Sequence, residues 1–179
     1  AMLMAAHGIH HICVIEDGVL RGVVSERDLF SLQRAGLVNL TRTILSAPSL
    51  ETLFPLHGDI RTLVGQMVAQ GVKVAHILQI ITLLNDHIVE RVIDLCLQDA
   101  DEDLSDIRFT WIAFGSEGRR EQTLRTDQDN GILFEVPQGQ SPDSVRKRLL
   151  PVARHINEAL AECGSDLGPG NIIAGNPEC

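Results

Sequence analysis

A glycine–serine turn followed by two closely spaced aspartates is the part of this chain best suited to chemistry. The turn is Gly115-Ser116, and the aspartates are Asp127 and Asp129. Gly115 permits a sharp backbone turn, and Ser116 can cap the helix expected after it. Free N–H groups at the start of a helix attract phosphate. The turn is therefore a candidate phosphate-binding site.

The two aspartates form a candidate metal site. Residues two apart on a strand point to the same face, so Asp127 and Asp129 are expected to lie side by side. Two neighbouring carboxylates repel each other unless a cation lies between them, and Mg²⁺ with nucleotide phosphates is the natural cation. The alternative is a simple turn, which Asp127 caps and which the sequence Asp129-Asn130-Gly131 forms.

Strands and helices are expected to hold these groups in place. Apolar and aromatic residues predict a strand over 108–114, a helix from 116 to about 124 and a strand over 129–136. Ser141-Pro142 is a strong helix start, and the helix is expected to end near Gly164. Residues 172–174 could form a short strand. Upstream, two helices are predicted between about 58 and 101, separated at Gly71.

The first part of the chain predicts a strand–turn–strand–helix unit. Strands are expected over 11–15 and 19–24, joined by the turn Glu16-Asp17-Gly18. Ser25 is a good N-cap for the following helix, with Asp28 three residues later.

The composition limits the classes of protein and partner. The chain has 179 residues, of which 44% are apolar, and its formal net charge is −9. A packed core is therefore expected, whereas a general nucleic-acid binder would need a basic face. No apolar run reaches the ~18 residues that span a bilayer, and the four cysteines have neither disulfide-framework nor zinc spacing. We expect a cytoplasmic protein without nucleic-acid or membrane partners.

The run from Gly115 to Gly131 carries a resemblance to a known family. Its sequence, Gly-Ser-Glu-Gly-Arg-Arg-Glu-Gln-Thr-Leu-Arg-Thr-Asp-Gln-Asp-Asn-Gly, resembles the DNA polymerase β-type nucleotidyltransferase superfamily. Within that superfamily it is similar to the nucleotidyltransferases of bacterial signal-transduction proteins that carry CBS domains. Those proteins are akin to the uridylyltransferase that modifies the PII signalling protein. The resemblance covers roughly residues 56–179.

The resemblance implies a role for each residue of the motif. Asp127 and Asp129 would bind Mg²⁺, which bridges the phosphates of a nucleoside triphosphate. The Gly115-Ser116 turn would hold the β- and γ-phosphates, and Arg119 or Arg120 would neutralise phosphate charge. An acceptor hydroxyl, by analogy on a signalling protein, would attack and pyrophosphate would leave.

Two features depart from the superfamily pattern. A third carboxylate usually lies on a later strand, and none of the later acidic residues clearly occupies a matching one. Gln128 stands between the aspartates where an apolar residue is common, which predicts a more exposed strand. A non-catalytic module that senses nucleotide or binds a partner is therefore the alternative. The later acidic residues are Glu135, Asp143, Glu158, Glu162, Asp166 and Glu178.

The segment from Gly22 to Asp28 resembles the second half of a CBS motif. The resemblance implies that Ser25 and Asp28 hold the ribose of an adenine nucleotide, with residues 9–12 near the base. The alternative is that Ser25 and Asp28 only cap a helix. Because CBS motifs normally work in pairs, we expect the chain to be part of a longer protein. The exposed sheet edge of the half-motif also suits a homodimer.

These inferences predict an α+β protein: the C-terminal half of a CBS motif, a helical segment and a nucleotidyltransferase-like α/β core with a small mixed sheet. The predicted domains are a partial CBS domain at 1–36, a linker at 37–57, a helical segment at 58–106 and the core at 107–179. We expect the core to continue beyond the last residue. The predicted activity is Mg²⁺-dependent nucleotidyl transfer regulated by the CBS part.

Overall fold

Helices and short strands alternate along the part of the chain that the structure describes. The structure, a computed structural model, describes Met4 and residues 7–178, except for the side chains of residues 26–35. Within these residues the strands form three two-stranded sheets, and the helices lie between and beside them. The predicted α+β class is confirmed.

The chain enters through a β-hairpin. Strands β1 (His11–Glu16) and β2 (Val19–Ser25) pair antiparallel. The two turn residues, Asp17 and Gly18, have φ angles of 53° and 75°, which suits the tight turn of a two-residue hairpin. Helix α1 (Glu26–Leu45) begins directly after Ser25. The predicted strand–turn–strand–helix order is therefore confirmed.

Residues 37–57, predicted as a linker, are packed into the helical part of the protein. They contain the end of α1 and the short helix α2 (Leu50–Leu53), and they bury Leu40, Ile44 and Leu53. Pro48 and Pro55 suggested a linker because proline interrupts helices. Interrupting a helix does not prevent the flanking apolar side chains from packing. The division into domains at these positions stays a prediction.

Two long helices precede the candidate site. Helix α3 (Leu56–Ala69) and helix α4 (Val74–Gln98) follow the predicted boundaries closely, and Gly71 lies between them with a φ angle of 75°. Both helices bury one apolar face in a single core, which they share with α1 and the last long helix. Apolar residues at three- and four-residue spacing account for this packing.

The candidate site lies in the remaining elements. Strand β3 (Phe109–Ala113) pairs antiparallel with β5 (Asn130–Phe134), and β4 (Thr126–Gln128) pairs parallel with β6 (Ser165–Leu167). Helix α5 (Gly115–Gly118) follows β3, and helix α6 (Pro142–Glu162) connects β5 with β6. Ser141 caps α6 as predicted, because its Oγ accepts a hydrogen bond from the Ser144 N–H at 3.2 Å.

Three predicted elements differ from the structure. The helix expected to reach residue 124 ends at Gly118, because Arg120 adopts a φ angle of 58° and turns the chain away. The strand expected over 129–136 is shorter, because β5 runs only from Asn130 to Phe134, and Asp129 separates it from β4. Residues 172–174 are irregular rather than a strand, although the Asn130 N–H donates to the Ile172 carbonyl at 3.0 Å.

Candidate functional site

The turn after β3 lies directly against the second aspartate. The Phe114 N–H donates a hydrogen bond to the Asp129 carbonyl at 2.8 Å. Gly115 has a φ angle of 53°, and a Cβ atom built on it would lie 2.2 Å from Asp129 Oδ2. The Asp129 carboxylate therefore occupies the space that any other residue at position 115 would need. Both the backbone conformation and this close approach require glycine.

Ser116 lies inside α5 and faces the other strand. Phe114 is the N-cap of α5, so the prediction that Ser116 caps this helix is wrong. The Ser116 hydroxyl lies 3.2 Å from the Thr126 hydroxyl. This contact joins the turn after β3 to the start of β4, one residue before Asp127.

The two aspartates lie at the junction of β4 and β5. Asp127 is exposed on β4, and Asp129 is partly buried. The alternative of a turn at this position is wrong, because Asn130 and Gly131 pair with β3 opposite Ala113 and Ile112.

The neighbouring arginines point to acidic partners. Arg119 Nε donates to Glu121 Oε2 at 3.0 Å, and both side chains are largely exposed. Burial raises the pKa of Asp86 on α4, and the nearby positive charge of Arg120 lowers it in part by favouring the ionised carboxylate. Arg120 thus brings the turn into electrostatic contact with the helical segment.

Glu117 is a titratable group that the sequence analysis missed. It is partly buried on α5, and burial, followed by the charges of Asp86 and Asp129, raises its pKa to about 7. Burial also raises the pKa of Asp86. Glu117 stands within the motif itself, but its environment depends on α4, a segment about 30 residues away in the chain. Asp86 therefore adds a carboxyl group to the surroundings of the motif, although it lies outside the motif in the sequence.

We expect the substitution Glu117→Gln to stabilise the metal-free protein at neutral and alkaline pH. The pKa of Glu117 is about 7 in the folded protein, against 4.5 for an ordinary glutamate, so the folded state holds more protons between these values. The free energy of unfolding therefore falls as the pH rises through this window. Urea unfolding at about pH 8 should show the variant more stable by about 1–2 kcal/mol. At about pH 4 the two proteins should be equally stable, and a less stable variant at pH 8 would contradict the assignment.

Gln128, between the aspartates, is buried rather than exposed. Its relative exposure is 2%, so the prediction of a more exposed strand is wrong. Its Nε2 donates to the Asn157 carbonyl at 2.9 Å and to the Ser165 carbonyl at 2.8 Å. These bonds tie β4 to α6 and to β6. Burial of the amide is tolerated because its polar atoms find partners.

Two buried asparagines complete a group that we call the amide network, formed by Gln128, Asn130 and Asn157. Asn157 Nδ2 donates to Gln128 Oε1 at 2.8 Å and to Asn130 Oδ1 at 3.0 Å. Asn130 and Asn157 also accept hydrogen bonds from the backbone N–H groups of Ala174 and Gly175, at 2.9 and 2.7 Å. The one signal in the sequence is Asn157 itself, a polar residue among the apolar residues on the inner face of α6.

Asp166 lies on the strand that pairs with β4. The register places Asp166 opposite Asp127, so one of the later acidic residues lies on a strand beside the first aspartate. A parallel partner was not evident from sequence, because β6 has only three residues. Among the described residues, however, no three His, Cys, Asp or Glu side chains are grouped closely enough to hold a metal ion.

The residues present nevertheless fit Mg²⁺ with a nucleotide. Magnesium is commonly held by one or two carboxylates, with phosphate oxygens and water completing six ligands. Asp127 and Asp129 supply two oxygen donors, and the missing side chain of Gly115 lets the Asp129 carboxylate lie directly against the turn. The site therefore has the donor chemistry of a metal–nucleotide site, but not of a metal site built from protein ligands alone.

The chain was compared with known families. A family model described as "Putative nucleotidyltransferase DUF294" matches residues 58–179, about two thirds of the chain. The chain belongs to this family. A CBS domain model matches residues 1–35. No significant match was found among curated proteins or among solved structures.

The DUF294 match contains every motif residue discussed above, from Gly115 to Asp129. The CBS match contains Ser25 and Asp28. Ser25 is the last residue of β2 and is partly buried, whereas the side chain of Asp28 lies outside the described residues. None of the helices among the described residues combines the length and the hydrophobicity of a membrane-spanning segment.

Proposed function

We propose that this DUF294 module binds a nucleoside triphosphate with Mg²⁺ and transfers its nucleoside monophosphate to an acceptor hydroxyl. The observation that carries the proposal is the contact between Gly115 and the Asp129 carboxylate. It joins a phosphate-binding type of turn to a metal-binding type of residue, the two components that nucleotidyl transfer requires. The acceptor we favour is a hydroxyl on a signalling protein.

Each group of the site has a task in this proposal. Bound Mg²⁺ would supply charge neutralisation and orientation at the phosphates. Asp127 and Asp129 would hold it, and the backbone of the Gly115-Ser116 turn would bind the outer phosphates. Arg119, whose guanidinium is exposed, can exchange Glu121 for a phosphate oxygen. Transfer then needs only an acceptor hydroxyl opposite the leaving pyrophosphate.

Regulation by the CBS part is supported by a continuous path of contacts. Helix α1 leaves the hairpin at Ser25 and packs against α4. Arg91 of α4 donates two hydrogen bonds to the Ala47 carbonyl, at 2.9 and 2.7 Å. Nearer the start of α4, Asn85 Nδ2 donates to Gln122 Oε1 at 3.3 Å, close to the turn. A nucleotide bound near Ser25 could therefore influence the site through α1 and α4.

Calorimetric titration tests the proposal directly. ATP, GTP, CTP and UTP would each be titrated into the protein, once with excess Mg²⁺ and once with EDTA. The proposal expects one or more of them to bind in the presence of the metal, and to bind much more weakly without it. The titration also identifies the preferred base. Binding that is equal with and without Mg²⁺ would refute the proposed metal site.

A second candidate function is a nucleotide sensor without catalysis. The observation that favours it is that no third side chain of a metal-ligand type joins Asp127 and Asp129 among the described residues. Under this alternative Mg²⁺ and nucleotide still bind, but no pyrophosphate is released when protein extracts or candidate acceptors are added. Release of pyrophosphate that requires Asp127 would exclude the sensor.

A further inference from the structure

We propose that the amide network positions the two aspartates for the metal–nucleotide complex. The inference rests on the proposed function and adds three positioning residues to it: Gln128, Asn130 and Asn157. None of them faces the turn that would bind the phosphates; all three act from the buried side of the strands. Their relative exposures are 2%, 3% and 2%.

The hydrogen bonds of the network leave little freedom to its central member. Gln128 uses both Nε2 protons, on two carbonyls, and its Oε1 accepts from Asn157 Nδ2 at 2.8 Å and from Asn130 Nδ2 at 3.4 Å. An amide side chain has two donors and two acceptor positions, so its capacity is filled. Rotating Gln128 out of this position would leave several buried polar groups without partners, which is costly. Its side chain is therefore held in one orientation.

The orientation of Gln128 decides where its neighbours point. Side chains alternate along an extended chain, so a buried Gln128 directs Asp127 and Asp129 to the opposite side. Rotation of this segment by one residue would instead bury both aspartates. An apolar residue at position 128 could also be buried, but it would make no directional bonds that fix the register against α6.

The network also holds the chain segments that border the aspartates. The Ser165 carbonyl belongs to β6, whose Asp166 lies opposite Asp127. A Cβ atom on Gly168 would lie 3.0 Å from Asp127 Oδ2, so the segment after β6 runs against that carboxylate. The backbone N–H of Gly175, farther along the same segment, is held by Asn157.

Backbone groups in irregular segments explain why this cluster is polar. Residues 172–175 form no regular ladder, and buried N–H groups without a ladder need other partners. Asn130 and Asn157 supply those partners for Ala174 and Gly175. The packing there is close: a Cβ atom on Gly175 would lie 2.8 Å from Arg154 Cα and 2.9 Å from Asn157 Oδ1. The network thus connects β4, β5, α6 and the irregular segment at one point.

The test replaces the member of the network that is farthest along the chain from the aspartates. Asn157→Leu keeps the branched, four-atom shape of the side chain with somewhat more bulk, and it removes the amide. The matched control is Thr82→Val, which alters a buried polar side chain on α4 whose hydroxyl has no hydrogen-bond partner among the residues that the structure describes. Mg²⁺ would be titrated into each folded protein at a fixed concentration of ATP, GTP, CTP or UTP, and each nucleotide would also be titrated in EDTA.

We expect Asn157→Leu to weaken Mg²⁺-dependent nucleotide binding by about 10- to 100-fold, the usual effect of removing a residue that supports a metal ligand. Metal-free nucleotide binding and the Thr82→Val control should stay within about twofold of the unmodified protein. A purely structural role would weaken both kinds of binding together. Unchanged Mg²⁺-dependent binding in folded Asn157→Leu, or an equal loss with and without metal, would overturn the inference.

If Asn157→Leu does not fold, a second variant tests whether the amide network positions the aspartates. Gly175→Ala keeps all three amides but places a methyl group against Asn157 Oδ1 and Arg154. The same selective loss of Mg²⁺-dependent binding is expected, and its absence would overturn the inference. Failure of the proposed function has a different signature, because the unmodified protein itself would then bind no nucleotide in a metal-dependent way.

Discussion

The double substitution Asp127→Asn and Asp129→Asn is expected to abolish Mg²⁺-dependent nucleotide binding while the protein stays folded. Asparagine has nearly the shape of aspartate but carries no negative charge, so it cannot offset the charge of a bound divalent cation. Both positions lie at the open side of the β4–β5 junction, where Asp127 is exposed and Asp129 partly buried. Removing two charges there should cost little stability, because the substitutions keep the size of the side chains and remove the repulsion between Asp129 and Glu117.

Calorimetry with each Mg²⁺-bound nucleoside triphosphate measures the loss, and circular dichroism measures whether the fold persists. The matched control is Asp101→Asn, which removes an exposed carboxylate from the acidic loop after α4. Binding should survive in this control. Metal-dependent binding that persists in the double variant would show that Asp127 and Asp129 do not hold the metal.

Gly115→Ala is expected to have the second largest effect, for a geometric rather than an electrostatic reason. The backbone of Gly115 has a φ angle of 53°, a conformation that costs other residues about 1–2 kcal/mol. In addition, the new methyl group would lie 2.2 Å from Asp129 Oδ2. A carboxylate at the end of a side chain can rotate away, so the fold should survive, but the displaced carboxylate no longer faces the turn.

We therefore expect Gly115→Ala to weaken Mg²⁺-dependent nucleotide binding by about 10- to 100-fold, with only a modest loss of stability. The control variant Gly139→Ala separates the effect of backbone strain from the effect of displacing the Asp129 carboxylate. Gly139 has a φ angle of 85°, but a Cβ atom on it would meet nothing within 4 Å. The control should thus lose stability similarly and keep its binding. Equal binding in Gly115→Ala and the unmodified protein would show that the position of the Asp129 carboxylate does not matter.

Elements whose formation depends on neighbouring residues could be predicted from the sequence. The cap at Ser141 with Pro142 located the start of α6, and the apolar stripes located α3 and α4. The hairpin followed from its strand residues and its Asp17-Gly18 turn. In each case the interactions that decide the element join residues within a few positions of each other.

Elements that depend on distant contacts were predicted less well. Helix α5 stops at Gly118 because Arg120 leaves the helical region and interacts electrostatically with Asp86 of α4. The segment predicted as a linker is packed because Leu53 and Ile44 meet α3 and α4 in the core. Neither constraint has a local signature.

Residue types and their spacing established the motif: a glycine–serine turn, two arginines and two aspartates in one order, with strand β3 before it and helix α6 after it. These features rest on residue type and spacing, which the chain states directly. Three further relations depend on the folded chain: Asp129 lies against Gly115, Asp166 lies opposite Asp127, and Gln128 is buried beside two asparagines. Those relations join residues that are distant along the chain, and burial and hydrogen bonding become defined only when the chain folds.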